Sequence, residues 1–209
     1  MVGGFSSGGS NGIVHDTVDL LSFKGPLPQR LVSGRSNFPI KIRGAVGTIL
    51  GDASLPHVCG GEDKDGNELR ECWAFNSYRN TWSVSGQMGE TRSYSVSDTH
   101  PSHGWVIAGG DGDGFGYGGS KSSAERTKDG TTFLSFTALP LALKEHGLVS
   151  LGVGGKGDFF LTGGRTTGKR YNKNSFIYTA GSWRKVADMP TARHGKKCAA
   201  ILILDLRKL

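Results

Sequence analysis

Short apolar runs that stop at a pair of glycines recur along the chain. Residues 56–59, 105–108 and 159–162 each form such a run, and each is followed at once by a glycine doublet. Runs of this length bounded by glycine are typical of buried β-strands and are too short for helices. The pattern predicts an all-β protein whose strands end at the doublets.

The doublets mark a repeat of about fifty residues. They stand at Gly3-Gly4, Gly60-Gly61, Gly109-Gly110 and Gly163-Gly164, with separations of 57, 49 and 54 residues. After each doublet come a polar loop, a strand, a turn, another strand, a Pro or Met, and a closing strand-like segment. The predicted strands after the doublets are 17–21, 69–75, 81–84, 122–127, 131–136, 174–178 and 182–186, and the closing segments are 44–50, 93–97, 148–153 and 196–203. We expect one domain with repeats at about 1–43, 44–92, 93–147 and 148–195, followed by a closing strand and tail at 196–209.

A second pattern supports the same period. The motif Trp-x5-Met-x3-Arg occurs twice, offset by 101 residues, or two repeats. Its two copies are Trp82, Met88, Arg92 and Trp183, Met189, Arg193.

Four short strands in a repeat predict a four-stranded sheet, which cannot bury both of its faces alone. Sheets stacked face to face around an axis solve this problem and leave only short edges. The 34 glycines of the chain suit the many tight turns of such a fold. Trp82 and Trp183 would then pack between neighbouring sheets, whereas in a β-sandwich they would be ordinary core aromatics.

These features together resemble the kelch repeat: the doublet after an apolar strand, the aromatic residue in the next strand, the later Trp, and the Met-x-x-x-Arg. Repeats two and four match the motif well, and repeats one and three lack the Trp. Cys59 beside its doublet and Cys72 on the next strand are similar to invertebrate kelch-like proteins of the secreted kind. The resemblance implies a kelch-type β-propeller of four-stranded antiparallel blades, here about four of them.

Kelch propellers usually have more blades than this chain supplies, so the ring is either incomplete or closed in an unusual way. In one alternative, the strand at 196–203 closes the ring by completing the first blade. In the other, the array is a fragment with open ends.

Two glycine-rich segments have spacings close to those of known ligand-binding loops but lack the residues that such loops require. In 163–170, Arg170 stands where a phosphate-binding loop needs a hydroxyl, and no helix pattern follows. In 109–122, Phe115 and Ser122 stand where an EF-hand needs oxygen ligands and a bidentate Glu. We expect no metal and no cofactor.

The three cysteines are too few for a zinc cage. Cys59 and Cys72 lie at the end of one strand and on its neighbour, so they are candidates for a disulfide, which would require an oxidising compartment. The alternative is two free thiols, and Cys198 fits a buried inert position.

The six histidines are scattered over the repeat and no nucleophile elbow occurs, so the chain is expected not to be an enzyme. A copper-radical oxidase, another bearer of kelch repeats, is kept as a rival, although its ligand set is not matched by spacing. Binding is favoured, through the loops that join one blade to the next. The candidate binding residues in those loops are Arg43, Arg92, His146, Arg193 and His194.

Family resemblance suggests that arginines at this point bind acidic peptide segments, so the leading hypothesis is a protein-interaction module for a protein or acidic peptide. The net charge of +7 is concentrated in residues 165–197. This segment supports a rival, a polyanion-binding module for glycosaminoglycan or nucleic acid, of which nucleic acid is not favoured.

No apolar stretch is long enough to span a membrane and no signal peptide is visible, so the compartment is left open: extracellular for a fragment, cytoplasmic otherwise. The sequence assigns no oligomeric state.

Overall fold

The computed structural model describes residues 2–6, 13–18, 20–22, 29–31, 36–51, 55–112, 119–152, 158–168 and 170–195. All regular structure in these residues is β-strand. The strands are β1 (Val2–Ser6), β2 (Ile13–Val18), β3 (Leu20–Ser22), β4 (Gln29–Leu31), β5 (Ile42–Arg43), β6 (Val46–Leu50), β7 (Leu55–Cys59), β8 (Glu62–Asp63), β9 (Glu71–Asn76), β10 (Thr81–Gln87), β11 (Val96–His100), β12 (Gly104–Ala108), β13 (Asp111–Gly112), β14 (Gly119–Ser120), β15 (Ala124–Thr127), β16 (Leu134–Phe136), β17 (Gly147–Ser150), β18 (Phe159–Thr162), β19 (Arg165–Thr166), β20 (Arg170–Tyr171), β21 (Ser175–Thr179) and β22 (Ser182–Val186).

Three four-stranded antiparallel sheets with one topology contain most of the described strand residues. We number them by repeat: sheet 2 contains β6, β7, β9 and β10; sheet 3 contains β11, β12, β15 and β16; sheet 4 contains β17, β18, β21 and β22. In each sheet the chain runs from one edge strand to the other through neighbouring strands. The prediction of an all-β chain with four-stranded antiparallel sheets is confirmed.

The loop after the second strand of each of these three sheets takes part in a small paired element that sequence reasoning did not find. In sheets 3 and 4 both strands of the pair lie in that loop, whereas in sheet 2 the loop strand β8 pairs with β5, which precedes the sheet. β5 pairs with β8, β13 with β14, and β19 with β20, each over two residues. These short pairs lie beside the glycine doublets. They give the loops a fixed shape at one end of every sheet.

Repeat 1 differs from the prediction of one strand at 17–21. Two hairpins stand there, β1 with β2 and β3 with β4. The Phe38 backbone N–H donates to the Asp16 carbonyl over 2.8 Å, as Leu139 N–H donates to Ser122 in sheet 3. This bond fixes the correspondence between repeats 1 and 3. The predicted closing strand at 196–203 lies outside the described residues.

Alternate side chains of the second strand of sheet 3 face its two neighbours, as the period of a strand requires. Trp105 and Ile107 join the apolar cluster of sheet 2 that includes Met88, whereas Val106 and Ala108 join the cluster of sheet 4. The first strands β6, β11 and β17 lie side by side. The core is therefore a series of layers between successive sheets.

The two tryptophans of the motif lie in these layers. Trp82 packs edge to face on Phe38, which precedes sheet 2, with ring centroids 5.0 Å apart. Trp183 packs on Tyr178 and on the cluster shared by sheets 3 and 4. Each indole thus covers the side of its sheet that faces the preceding repeat.

Cys59 and Cys72 form a disulfide between adjacent strands, with Cα atoms 4.1 Å apart. The register places Ala108 opposite Ala124 and Thr162 opposite Ser175 at the same point of the other two sheets. The Thr162 and Ser175 hydroxyls share a hydrogen bond of 2.8 Å. The same pair of facing positions therefore holds a disulfide in sheet 2, two alanines in sheet 3 and two hydrogen-bonded hydroxyls in sheet 4.

The second glycine of a doublet lies where a side chain does not fit. Gly110 has φ of 102°, and a Cβ there would lie 2.7 Å from the Ser93 carbonyl oxygen. Its N–H donates to the Leu143 carbonyl over 2.9 Å. Positive φ and close backbone contact together explain why glycine recurs at this position.

Candidate functional site

Four residues in the left-handed region link the repeats. Gly44, Tyr94, Glu145 and Gly195 have φ of 66°, 51°, 53° and 65°, and they are spaced by 50, 51 and 50 residues. Tyr94 N–H donates to the Gly44 carbonyl over 2.8 Å, Glu145 to Tyr94 over 3.0 Å, and Gly195 to Glu145 over 2.9 Å. We call these four residues the inner row.

Polar and mostly charged side chains flank the inner row. Immediately before it stand Arg43, Ser93, Lys144 and His194, and beside it stand the residues that follow the glycine doublets, Glu62, Asp111 and Arg165. Backbone pairing brings Arg43 to Glu62, Ser93 to Asp111 and Lys144 to Arg165. The loops that join successive sheets and the loops after the second strands therefore form one surface, the inner-row surface.

At the sheet 2 end of this surface, a buried carboxylate is shared by two side chains. Glu62 accepts a hydrogen bond from the Arg43 guanidinium and one of 3.1 Å from the Tyr94 hydroxyl. Burial, followed by the Glu62 charge, raises the pKa of Tyr94 to about 12. Tyr94 is thus a neutral hydrogen-bond donor throughout the physiological range.

In the middle of the surface, Lys144 and Asp111 form an ion pair, and both side chains are largely buried. This pair joins the loop that precedes sheet 4 to the loop of sheet 3. Because the two charges neutralise each other, the middle of the surface offers little net charge.

The sheet 4 end is the exposed end, and Arg170, Lys173 and Arg193 are exposed in the same repeat. Glu145 binds the Arg165 guanidinium through one oxygen and the His194 Nδ1 through the other, the latter over 2.6 Å. The Tyr171 ring stacks on the His194 ring, with centroids 4.6 Å apart and planes 3° apart. His194 is 38% exposed in its side chain and Tyr171 is 58% exposed. One acid therefore holds an arginine, a histidine and a stacked tyrosine in a fixed group that faces solvent, which we call the Glu145 group.

The predicted binding residues fall into three environments. Arg43 and His194 lie on the inner-row surface, and Arg193 is exposed at the edge of a cavity of about 120 Å³ that Met189 and His194 also line. Arg92 and His146 are buried. The structure therefore does not bring the five predicted binding residues together in one cluster.

Arg92 is 0% exposed and is used by the fold. Its guanidinium donates to the Glu125 carboxylate at 3.0 and 3.2 Å, to the Gly109 and Ser123 carbonyls, and to the Ser123 hydroxyl. Its backbone is hydrogen-bonded to Leu69 and Gly61 of repeat 2, and its side chain is hydrogen-bonded to Glu125 of sheet 3. Because Arg92 is fully buried between two repeats, a partner cannot reach it.

His146 is 1% exposed and lies between two repeats. Its Cβ is 2.6 Å from the position a Cβ would take on Gly164, and its ring approaches Gly109. Burial lowers the pKa of His146 to about 3. The side chain is therefore a neutral packing residue, not a cation for an acidic partner.

Sequence reasoning did not single out Glu145 or Tyr171, and it counted Arg165 only as part of the basic segment 165–197. Arg165 follows a doublet as Glu62 and Asp111 do, so aligning the repeats on their doublets would have placed it beside the inner row. Nothing in the sequence signals that Tyr94 and Glu145 adopt positive φ, since only the outer members of the row are glycine.

No protein-family model matches the chain, and no curated protein matches it. Among solved structures, that of YjhT resembles it with a TM-score of 0.69 at 13% sequence identity, over 94% of this chain and 69% of YjhT. At this identity the likeness concerns the fold alone. Together with the repeated antiparallel sheets, it is consistent with a propeller-like arrangement.

Two negative findings apply to the described part of the chain. No three His, Cys, Asp or Glu side chains in it converge to hold a metal ion. It also has no helix of the length and apolarity that crossing a membrane requires.

Proposed function

We propose that this chain is a kelch-type β-propeller array that acts as a non-catalytic protein-interaction module and binds an acidic peptide segment at the sheet 4 end of the inner-row surface. The observation that carries the proposal is the Glu145 group. It presents two nitrogen-bearing side chains and an aromatic ring in fixed positions on an exposed loop surface.

The Arg165 guanidinium has donors to spare for a second carboxylate. Arginine has five N–H donors, and Glu145 is bound through one terminal nitrogen. An arginine already oriented by one acid loses less conformational entropy when it binds another. His194 is oriented in the same way through Nδ1, which donates to Glu145. Its Nε2 then accepts a hydrogen bond from a partner, or donates one to a carboxylate when the ring carries both protons.

The surroundings favour an acidic partner over a basic one. Arg170, Lys173 and Arg193 are exposed in the same repeat. The carboxylates Glu62 and Asp111 are buried at the other positions of the surface and are already paired. Acidic segments are therefore attracted to the sheet 4 end and are not repelled by exposed carboxylates elsewhere on the surface.

Binding of a labelled, unstructured peptide rich in Glu tests the proposal by fluorescence anisotropy. We expect saturable binding that Arg165→Gln weakens by about tenfold or more, because a preoriented charge pair is lost. Arg79→Gln, on the exposed turn between β9 and β10, removes one charge elsewhere and is expected to leave affinity unchanged. Equal losses in the two variants, or equal binding of the same peptide with Gln in place of Glu, would contradict the proposal.

The exposed basic residues of repeat 4 support one alternative, a polyanion-binding module. Arg170, Lys173, Arg184 and Lys185 are all exposed, and Lys185 lies 3.4 Å from Asp188. Titration with heparin at several salt concentrations separates the two functions. A polyanion surface loses affinity steeply and linearly in log salt, and Lys173→Gln then matters as much as Arg165→Gln.

A further inference from the structure

The layer between sheets 2 and 3 contains a cavity of about 600 Å³. Its apolar lining includes Met88, from the segment that leaves sheet 2, and Phe133 and Phe136, at and beside β16. Glu90 also lines it. The volume lies within the range of small-molecule pockets, about 300–1,000 Å³. The cavity shares no residue with the Glu145 group.

The position of Phe133 holds a tryptophan in the other two sheets. Two residues beyond the small facing position of each third strand, the register pairs Ala74 with Ser83, Arg126 with Leu134 and Ile177 with Arg184. Phe133 directly precedes Leu134, as Trp82 precedes Ser83 and Trp183 precedes Arg184. The layer with the cavity therefore has a phenyl ring where its two neighbours have an indole.

Glu90 occupies a position that is aliphatic in the neighbouring layers. The N–H groups of Phe38, Met88 and Leu139 donate to corresponding carbonyls, those of Asp16, Arg70 and Ser122. The residues two further along are Ile40, Glu90 and Leu141. Ile40 packs on the same apolar cluster as Trp82, and Leu141 packs on the same cluster as Trp183. Each neighbouring layer thus holds an indole and an aliphatic side chain where this layer holds a phenyl ring, a carboxylate and the cavity.

Glu90 offers one free acceptor. Its Oε2 accepts hydrogen bonds from Lys121 Nζ and Ser123 Oγ, each over 3.0 Å, whereas Oε1 has no hydrogen-bond partner among the described residues. Burial raises the pKa of Glu90, but the bonds from Lys121 and Ser123 together outweigh burial and lower it, so the group is an acceptor. Lys121 balances the charge of Glu90, and Arg92 balances that of Glu125. These balanced charges favour a neutral ligand that donates a hydrogen bond.

We propose that this cavity binds a small neutral aromatic molecule, whose ring packs against Phe133 and Met88 and whose ring N–H or O–H donates to Glu90 Oε1. The ring takes the space that an indole and an aliphatic side chain fill in the neighbouring layers. Aromatic rings bury a large apolar area, and apolar cavities of matching size bind them. A carboxylate acceptor makes the hydrogen bond a strong one.

Titration of the full-length chain with indole, measured by isothermal titration calorimetry, tests the proposal. We expect saturable binding at one site per chain, and binding of N-methylindole, which lacks the N–H, that is weaker by about tenfold or more. Phe133→Trp puts an indole into the cavity and is expected to weaken indole binding by about tenfold or more. Leu134→Trp adds the same ring at the next residue, which is 57% exposed and does not line the cavity, and is expected to leave affinity unchanged.

A urea unfolding curve of each variant separates lost binding from misfolding. Phe133→Trp is expected to be at least as stable as the wild type, because Trp is the residue at this position in repeats 2 and 4. Glu90→Leu copies Leu141 and is a second variant that is expected to weaken indole binding. A wild type without saturable indole binding overturns the proposal, as does equal affinity in Phe133→Trp and Leu134→Trp. Equal affinities of the wild type for indole and N-methylindole overturn it as well, since Glu90 is then not the acceptor.

Discussion

His146 replaces a small residue at a position defined by the inner row. The residue after each inner-row member is Ala45, Ser95 and then His146. Each of them lies against the second glycine of a doublet, at distances of 3.0, 3.0 and 2.6 Å from the Cβ that glycine lacks. The imidazole therefore enters a space where the other repeats place one or two heavy atoms, and neither of its nitrogens has a hydrogen-bond partner within the described protein.

This burial predicts a pH-dependent stability. The pKa of His146 is about 3 in the folded chain and near the ordinary 6.5 in the unfolded chain. Between these values the unfolded chain binds a proton that the folded chain does not, so stability is lost as pH falls, by up to about 1.4 kcal/mol per pH unit. His146→Leu is expected to flatten this slope in denaturant titrations between the two pH values. At pH 8 the two proteins differ through packing alone, and an unchanged slope at acid pH would contradict the assignment.

At the residue scale, the sequence predicted in which segments the candidate side chains lie, but not whether they face solvent or a neighbouring sheet. It placed Arg92, His146 and Arg193 in the segments that join the repeats, which is where they lie. Whether such a side chain faces solvent or a neighbouring sheet depends on register, and a shift of one residue reverses it. The acid that faces Arg92 is 33 residues away in the chain, so no local pattern could identify it.

Among the elements, the links between sheets 2 and 3 and between sheets 3 and 4 solve the same packing problem in two ways. Arg92 with Glu125 is a buried ion pair, and Leu143 with Phe176 is apolar. Both charges of a buried ion pair lose their hydration, so an apolar pair at the same place can stabilise the fold as much. Removing one partner of the ion pair instead leaves an unpaired buried charge, which is strongly destabilising. The two links therefore allow an exchange experiment inside one protein.

Arg92→Leu is expected to lower the free energy of unfolding by about 3–5 kcal/mol, because Glu125 is left buried without a cation. Adding Glu125→Phe copies the link between sheets 3 and 4 and is expected to recover part of the loss. Recovery is incomplete, since Glu125 also accepts the Gly89 N–H over 2.6 Å. Chemical denaturation measures both effects, and a double variant no more stable than the single one would show that the links are not interchangeable.

The strands themselves were largely predictable. β7, β12 and β18 end at the doublets, as the apolar runs indicated, and β22 has the predicted bounds of 182–186. The third strand of sheet 3 begins at Ala124 and its fourth at Leu134, later than the predicted 122 and 131. Polar residues at these strand starts belong to loops, and polarity alone does not separate a loop from an exposed strand end.

For the whole molecule, the described sheets pack on the sheets of neighbouring repeats, so stability is expected to be a sum of local links. Weakening one link is expected to release the sheets on its two sides from each other before either unfolds. The apolar link at Leu143, which is fully buried, joins sheet 3 to sheet 4.

Leu143→Ala is expected to cost about 2–5 kcal/mol at that link and to speed amide exchange in β18 and β21 before β7 and β9. Hydrogen exchange followed by mass spectrometry resolves these segments. Val84→Ala, at an exposed position of β10, makes a similar truncation without a cavity and serves as the control. Simultaneous acceleration in all the sheets would instead indicate one cooperative unit.

The backbone bonds of the inner row join consecutive sheets at one end, whereas the outermost strands of consecutive sheets share no backbone–backbone hydrogen bond in the described residues. Rocking of one sheet against the next therefore turns about that hydrogen-bonded seam. Such rocking widens the gaps at the periphery and leaves the residues at the seam almost stationary. Arg165 and His194 lie near this seam, so a ligand bound there is expected to be displaced little when the sheets open at the periphery.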